Sequence, residues 1–398
     1  MKRLLIIGAS LLQLPAIIKA KEMGLYVGVV DFNPEAIGIS YADEYFNVST
    51  VDEEGVLCVA KQFKADGIIT LATDMPMRAV AYATNKLGLV GIPYESALKA
   101  TDKGEMIKAF KNANVEHPWY HIIPDVKCFN DIANKITRFP CITKPVDNAG
   151  SRGVMIANCY EELKEAVLYS SANGRNGSII VEEYMTGKEI SVEIIVVDYE
   201  PHVLQITAKD TTLAPHFVEI GHTQPCILPK NEIAQICNLA KRAVHAIGIN
   251  TGPAHVEIML TKDGPKMIEL GARLGGDCIA THLVPLSTGI DMVRAAIEIS
   301  LGMKADITPK LCKGSAIRYF NAKPGIIKNI SGIDAAKNIN GIKEVILTQK
   351  VGSAVKKIEN SADRVGFVIA QANSAEEAKK KCIDAMDCIS IYTEDVIN

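Results

Sequence analysis

One stretch restricts the fold of this chain more than any other: HVEIMLTKDGPKMIELGARLGG, residues 255–276. Two apolar runs flank a turn signal, Asp263-Gly264, which reads as a β-hairpin. In an antiparallel pair the facing positions have a constant sum. With the turn centred on Asp263, Glu257 faces Glu269, and the two carboxylates stand about 5 Å apart on one face. Val256, Ile258, Ile268 and Leu270 flank them, so neither strand reads as bathed in solvent. Two like charges there repel and are costly to bury. A divalent cation between them relieves the repulsion, and hard oxygen ligands completed by water and phosphate suit Mg²⁺. The same spacing also fits two glutamates on a solvated hairpin face.

The 398 residues suffice for two or three domains with ample core. Hydrophobic residues make up 48% and charged residues 22%, an ordinary globular balance. The formal net charge of −3 comes without a basic block, which argues against a nucleic-acid partner. The ten cysteines show no CxxC spacing and no zinc-like Cys/His cluster. They read as reduced thiols serving as packing residues in a cytoplasmic protein. In MKRLLIIGASLLQLPAIIKA, Gln13 and Pro15 interrupt the apolar run, so strand-turn-helix is a better reading than a signal peptide. No apolar run reaches the ~20 residues of a membrane span.

The fold class expected is α/β and α+β, multidomain. Residues 1–98 alternate strands (Leu4–Ile7, Tyr26–Asp31, Tyr45–Val48, Gly67–Leu71, Leu89–Gly91) with helices near 11–23, 53–64 and 76–87, the pattern of a parallel, Rossmann-like sheet. Residues 99–308 mix helices with hairpins. Residues 309–398 read as a small α+β module, with strands at Ser315–Phe320, Val345–Thr348 and Gly366–Ala372 and a helix from Ala375 to about Ala385.

Three further motifs carry chemistry. GASLLQL follows the first strand. Gly8 fits a strand-to-helix turn, and Asp31, ending the second strand, sits where a dinucleotide fold keeps its ribose-binding acid. The second and third glycines of that fingerprint are missing, which counts against a nicotinamide enzyme. In PCITKPVDNAGSRGV (140–154), Lys144 precedes the loop 147–153, whose exposed N–H groups suit phosphate oxygens; an ordinary hairpin fits equally. In SIIVEEYMTGKEISVE (178–193), the strand Ile179–Val181 runs into Glu182-Glu183-Tyr184-Met185. That edge can offer backbone groups to a base, and Glu189 an acid to ribose hydroxyls. Two strands joined by a Thr186-Gly187 turn is the plainer alternative.

In this order the segments resemble the ATP-grasp family of carboxylate–amine (or thiol) ligases over essentially the whole chain, through TDKGEMIKAF, the lysine and glycine loop, EEYM, the paired acids and GARLGG. The resemblance implies an ATP-grasp domain at 99–308, with a lid at about 115–187, between the N-terminal α/β domain and the C-terminal module. It implies ATP with Mg²⁺ (Mn²⁺ as a substitute). Lys103 and Lys144 would contact the phosphates. Gly150, Ser151, Arg152 and Gly153 would lie in the closing loop. Glu182, Glu183, Tyr184 and Met185 would hold the adenine, Glu189 the ribose, and Glu257 with Glu269 the metal. Arg273 would stand near the γ-phosphate and the acyl phosphate. The family usually has Asn two residues after the second metal acid; this chain has Gly271, leaving that contact to water or a backbone group. VEIGHTQP (218–225), with Glu219 and His222, and the module from KGSAIRYFNAKPG to DRVGFVIAQANSAEEAKKK look most like the L-amino acid ligase branch. Biotin carboxylase-like and purine-pathway ligases such as glycinamide ribonucleotide synthetase share the plan. A lone loop histidine such as His222 is also often structural. Thr73, Asp74 and Asp277 are the candidates for reading a substrate amine. The partners implied are a small carboxylate and a small amine, with a homodimer as the family expectation. A non-catalytic nucleotide-binding protein on the same scaffold is the competing class.

Overall fold

Strands Arg3–Ile7, Tyr26–Val30, Glu44–Phe46 and Gly67–Ile69 pair in parallel, in the order third, second, first, fourth. The computed structural model describes every residue except 149, 151, 213–216 and 396–398. The first strand shows why helices cover both faces of this sheet. Leu4 and Ile6 pack with helix Leu14–Glu22 on one side, while Leu5 and Ile7 pack with helices Glu53–Phe63 and Met77–Leu87 on the other.

One expectation changes here, and the plain strand-to-helix turn after the first strand is what forms. Leu89–Gly91 is not a strand. The chain leaves the preceding helix through Gly88 at φ +65°, Leu89 N–H bonds Thr84 O, and the Asn85 amide takes Ile92 O and Tyr94 N–H. Asp31 is not left for a ribose: it is buried and accepts N–H groups from Ala9 at 2.8 Å and Asn33 at 2.9 Å.

A second sheet has eight strands and carries several of the candidate site residues, Glu189, Glu219, His222, Glu257 and Glu269 among them. From one edge it runs Gly264–Gly271, Gly252–Thr261, Lys188–Val197, Glu200–Thr211, Glu219–Gln224, Gly314–Tyr319, Gly366–Ala372 and Ile342–Leu347. It therefore continues across residue 308. Period-2 alternation splits its central strand. Ile190, Val192, Ile194 and Val196 are fully buried and pack with helix Lys230–Ile247; Glu189, Ser191 and Glu193 point the other way.

The glutamate hairpin forms, and Glu257 is the register partner of Glu269. The turn residues, however, are Lys262 and Asp263. From Thr261↔Gly264 to Ile258↔Met267 the register runs one residue short of the expected sum, and a bulge at Ile268 restores it before the glutamates meet.

A third sheet, Tyr120–Ile123, Ile179–Glu183, Cys141–Pro145 and Met155–Ala157, packs on helix Tyr160–Ala172. Its strand Ile179–Glu183 and the following Lys188–Val197 lie in different sheets. Tyr184–Gly187 is thus a crossing between sheets and not a hairpin turn. A small sheet, Gly325–Ser331 with Ala354–Val355 and Ser390–Glu394, completes the C-terminal part. No helix among the described residues is long and apolar enough to cross a membrane. The expectation that all cysteines serve packing fails for Cys58, Cys312 and Cys388, which are exposed; Cys141, Cys226 and Cys382 are buried.

Candidate active site

The polar face of the eight-stranded sheet, the third sheet and the end of the first enclose one cleft of about 1580 Å³. It gathers Thr73, Asp74, Lys103, Lys144, Gly150, Arg152, Glu182, Glu183, Tyr184, Met185, Glu189, Glu219, His222, Glu257, Glu269, Arg273 and Asp277. Ser151 lies outside the described residues. Gly153 is not among the lining residues. It sits at φ +80°, where a Cβ would lie 2.7 Å from Asn173 Cβ, so its role is close packing at the root of the loop.

The two acids of the hairpin do not depend on a metal ion for neutralisation. Glu269 pairs with Lys103 at 2.9 Å, and Glu257 with Lys209 at 3.1 Å and His255 at 3.1 Å. Lys103 stands where helix Lys103–Asn112 begins behind its Asp102 cap, and also donates to Asn148 O at 2.8 Å. Burial alone would lower the Lys103 ammonium, but Glu269 outweighs it and the group is raised. Burial would likewise raise Glu257; Lys209 and His255 hold it well below its ordinary value. His255 is held up to about 9, burial opposing the charge and Glu193 outweighing burial.

Two facing carboxylates that open on the cleft are a hard-oxygen donor set suited to Mg²⁺. The described residues contain no cluster of three or more such ligands, so the other positions of a six-coordinate ion would fall to phosphate and water.

Lys144 is buried and salt-bridged to Glu182, and Lys266 pairs with Glu183 at 2.9 Å. Arg273 grips Asp74 with two hydrogen bonds, Nε to Oδ1 at 3.0 Å and Nη2 to Oδ2 at 2.9 Å. That pair explains Gly271: a Cβ there would lie 2.8 Å from Asp74 Oδ1 and 3.0 Å from Arg273 Cζ. At the far wall His222 is buried, with Nε2 3.2 Å from Asp277 Oδ2 and Nδ1 without a partner among the described residues. Arg364 closes on the same Asp277 at 2.7 and 2.8 Å and lies 3.7 Å over the Tyr319 ring. Asp277 is held far below the usual carboxylate range: burial would raise it, but Arg364 and His222 outweigh burial. Glu219 accepts from Ser361 at 3.1 Å.

Comparison with known proteins matches residues 137–281 to an ATP-grasp domain and residues 318–394 to an L-amino acid ligase C-terminal domain 2, together more than half of the chain. The chain carries an ATP-grasp domain followed by an L-amino acid ligase C-terminal domain. It is an ATP-dependent carboxylate–amine ligase. The alanine–anticapsin ligase of Bacillus subtilis is 26% identical over 324 residues, covering 75% of this chain and 67% of that one. A crystal structure of phosphoribosylglycinamide synthetase from Anaerococcus prevotii matches 99% of this chain and 100% of its own, with TM-score 0.80 and 25% identity. The L-amino acid ligase of Bacillus licheniformis shares the fold at TM-score 0.86 and 22% identity, covering 99% of each chain.

Sequence reasoning missed four residues, Lys209, His255 and Arg364 in the cleft and Glu193 behind it. Lys209, nearly buried, contacts Glu189, Glu257 and, at 3.7 Å, Glu219. Burial would lower its ammonium, but the three acids raise it well above the ordinary value. Nothing local in AKDTT marks that role; it follows from strand Glu200–Thr211 lying beside Lys188–Val197. Arg364 arrives from a loop nearly ninety residues beyond Asp277. Glu193 and His255 are adjacent only through the pairing of their strands.

Proposed function

We propose that this ligase activates the carboxylate of one amino acid with ATP and passes the acyl group to the amine of a second, giving a dipeptide. A carboxylate oxygen attacks the γ-phosphorus and ADP leaves. The amine then attacks the acyl carbon, loses a proton, and phosphate departs carrying one oxygen of the original carboxylate. The observation that carries this reading is Glu257 facing Glu269 with Lys103 and Arg273 in the same cleft. Glu257 and Glu269 would hold Mg²⁺, which when bound neutralises phosphate oxygens and orients them. Lys103, Lys144 and Arg273 supply positive charge where negative charge develops. The segment Glu182–Met185, where the strand runs into the crossing, holds the base and Glu189 the ribose. The loop of Gly150, Ser151 and Arg152, rooted at Gly153, shields the acyl phosphate from water. Glu219 and His222 border the acyl group. Asp74 and Asp277 are engaged by Arg273 and Arg364, yet each carboxylate keeps lone pairs for a substrate ammonium beside Thr73.

The amino-acid assignment is supported by the match at 318–394 and by the likeness to alanine–anticapsin ligase. The likeness to phosphoribosylglycinamide synthetase favours a second reading, glycine joined to a phosphoribosylamine. A screen of amino-acid pairs with ATP and Mg²⁺, read by phosphate release and product mass, decides between them. Release that needs two amino acids and gives a product at their summed mass less water is expected. Turnover only when glycine and phosphoribosylamine are supplied selects the second reading, and no turnover with any pair overturns the amino-acid assignment and leaves another small carboxylate and amine as the substrates.

A further inference from the structure

Behind Glu257 runs a buried line of polar side chains with no part in the chemistry above. Glu193, on the central strand of the large sheet, is fully buried. A carboxylate so placed costs several kcal/mol unless it is matched. Its two oxygens lie 2.9 and 3.0 Å from His255 Nδ1, and Ser191 Oγ donates to Oε1 at 3.0 Å. His255, register partner of Glu193 on the neighbouring strand, turns its other nitrogen to Glu257 Oε1 at 3.1 Å. Lys209 also contacts Oε1 of Glu257, so Oε2 is the freer oxygen. Gly275 makes room for the arrangement: a Cβ there would lie 2.8 Å from both Glu193 Oε2 and His255 Nδ1. Glu193 itself does not line the cleft. Among the described residues, the imidazole of His255 links it to Glu257.

We propose that Glu193 and His255 are positioning residues that aim the Glu257 carboxylate at a divalent cation carrying the nucleotide phosphates. The inference rests on the metal role proposed for Glu257 and extends it to two residues that touch neither metal nor nucleotide. Groups that orient a ligand in this way change metal affinity by about 10–100-fold when they are removed.

The test needs no knowledge of the amino-acid substrates. Mn²⁺ is titrated into the full-length protein saturated with ADP, with free Mn²⁺ read by electron paramagnetic resonance. Metal-free ADP binding is measured in parallel by calorimetry. Glu193→Gln keeps the shape and removes the charge; His255→Gln keeps a polar group and removes the two-ended bridge. The expected result for each is ADP affinity within about twofold of the parent, with Mn²⁺ affinity lowered about 10–100-fold. If Glu193→Gln does not fold, His255→Gln carries the same comparison. Parental Mn²⁺ affinity in a folded variant overturns the inference. So does a proportional loss of ADP and Mn²⁺ binding, which is the mark of a merely structural pair. If ADP and Mn²⁺ binding are uncoupled in the parent protein, the metal role of Glu257 fails and takes the inference with it, leaving ATP-dependent ligation to be judged by the amino-acid screen.

Discussion

Glu269 shows what a residue's neighbours do to an argument made from spacing. From sequence alone, neutralising one of two facing glutamates relieves repulsion, and stability holds or rises. The structure reverses the sign, because Lys103 lies 2.9 Å from Glu269 with only 17% of its side chain exposed. Glu269→Gln is therefore expected to cost about 1–3 kcal/mol in metal-free buffer by leaving an ammonium short of its anion, measurable by urea unfolding. Turnover should fall about a thousandfold through weaker Mg²⁺ binding, with the fold kept. Near-parental turnover would remove Glu269 from the metal site. The pairing of the two acids was legible in the hairpin pattern, whereas the bulge that completes it was not. Lys209 was not legible either, because its partners lie on three other strands whose order the sequence does not state.

At the scale of elements, period-2 and strand-helix patterns read well wherever both sides of a segment are covered. Arg3–Ile7, Met77–Leu87 and Gly366–Ala372 fall where their apolar runs put them. Local patterns failed where a side chain took over backbone groups, as Asn85 does at Leu89–Gly91. They also gave a right pairing by an incomplete route: Glu257 meets Glu269 only because the bulge at Ile268 offsets a turn that begins at Lys262. The crossing Tyr184–Gly187 binds two sheets together through one close approach. Gly187 sits at φ +154°, and a Cβ there would lie 2.1 Å from Leu260 O. Gly187→Ala must therefore move the crossing away from the hairpin. It is expected to cost about 1–3 kcal/mol and to weaken ADP binding at least tenfold, since the segment proposed to hold the adenine adjoins it. Unchanged ADP affinity by calorimetry would show that this crossing does not set the nucleotide site.

Across the whole molecule, one sheet carries Glu189, Lys209, Glu219, Glu257 and Glu269 together with the C-terminal strands, so the C-terminal part is a wall of the cleft and not an appendage. Arg364 on Asp277 ties that wall in place. The Asp277 carboxyl is depressed in the folded state below its ordinary 3.8. Its contribution to stability is thus complete above that value and is lost as pH falls below it, by up to about 1.4 kcal/mol per pH unit. Asp277→Asn should be less stable than the parent at pH 6, with the gap narrowing between pH 4 and 3 in urea titrations. A gap constant with pH would mean that the charge of Asp277 holds nothing together. The central claim, that a carboxylate is activated by phosphoryl transfer, is tested most directly by isotope. An amino-acid pair that turns over is run with ¹⁸O in the carboxylate of the acid component, and the released phosphate is weighed by mass spectrometry. The account predicts one ¹⁸O in each phosphate for each amide formed; unlabelled phosphate accompanying amide formation would contradict it.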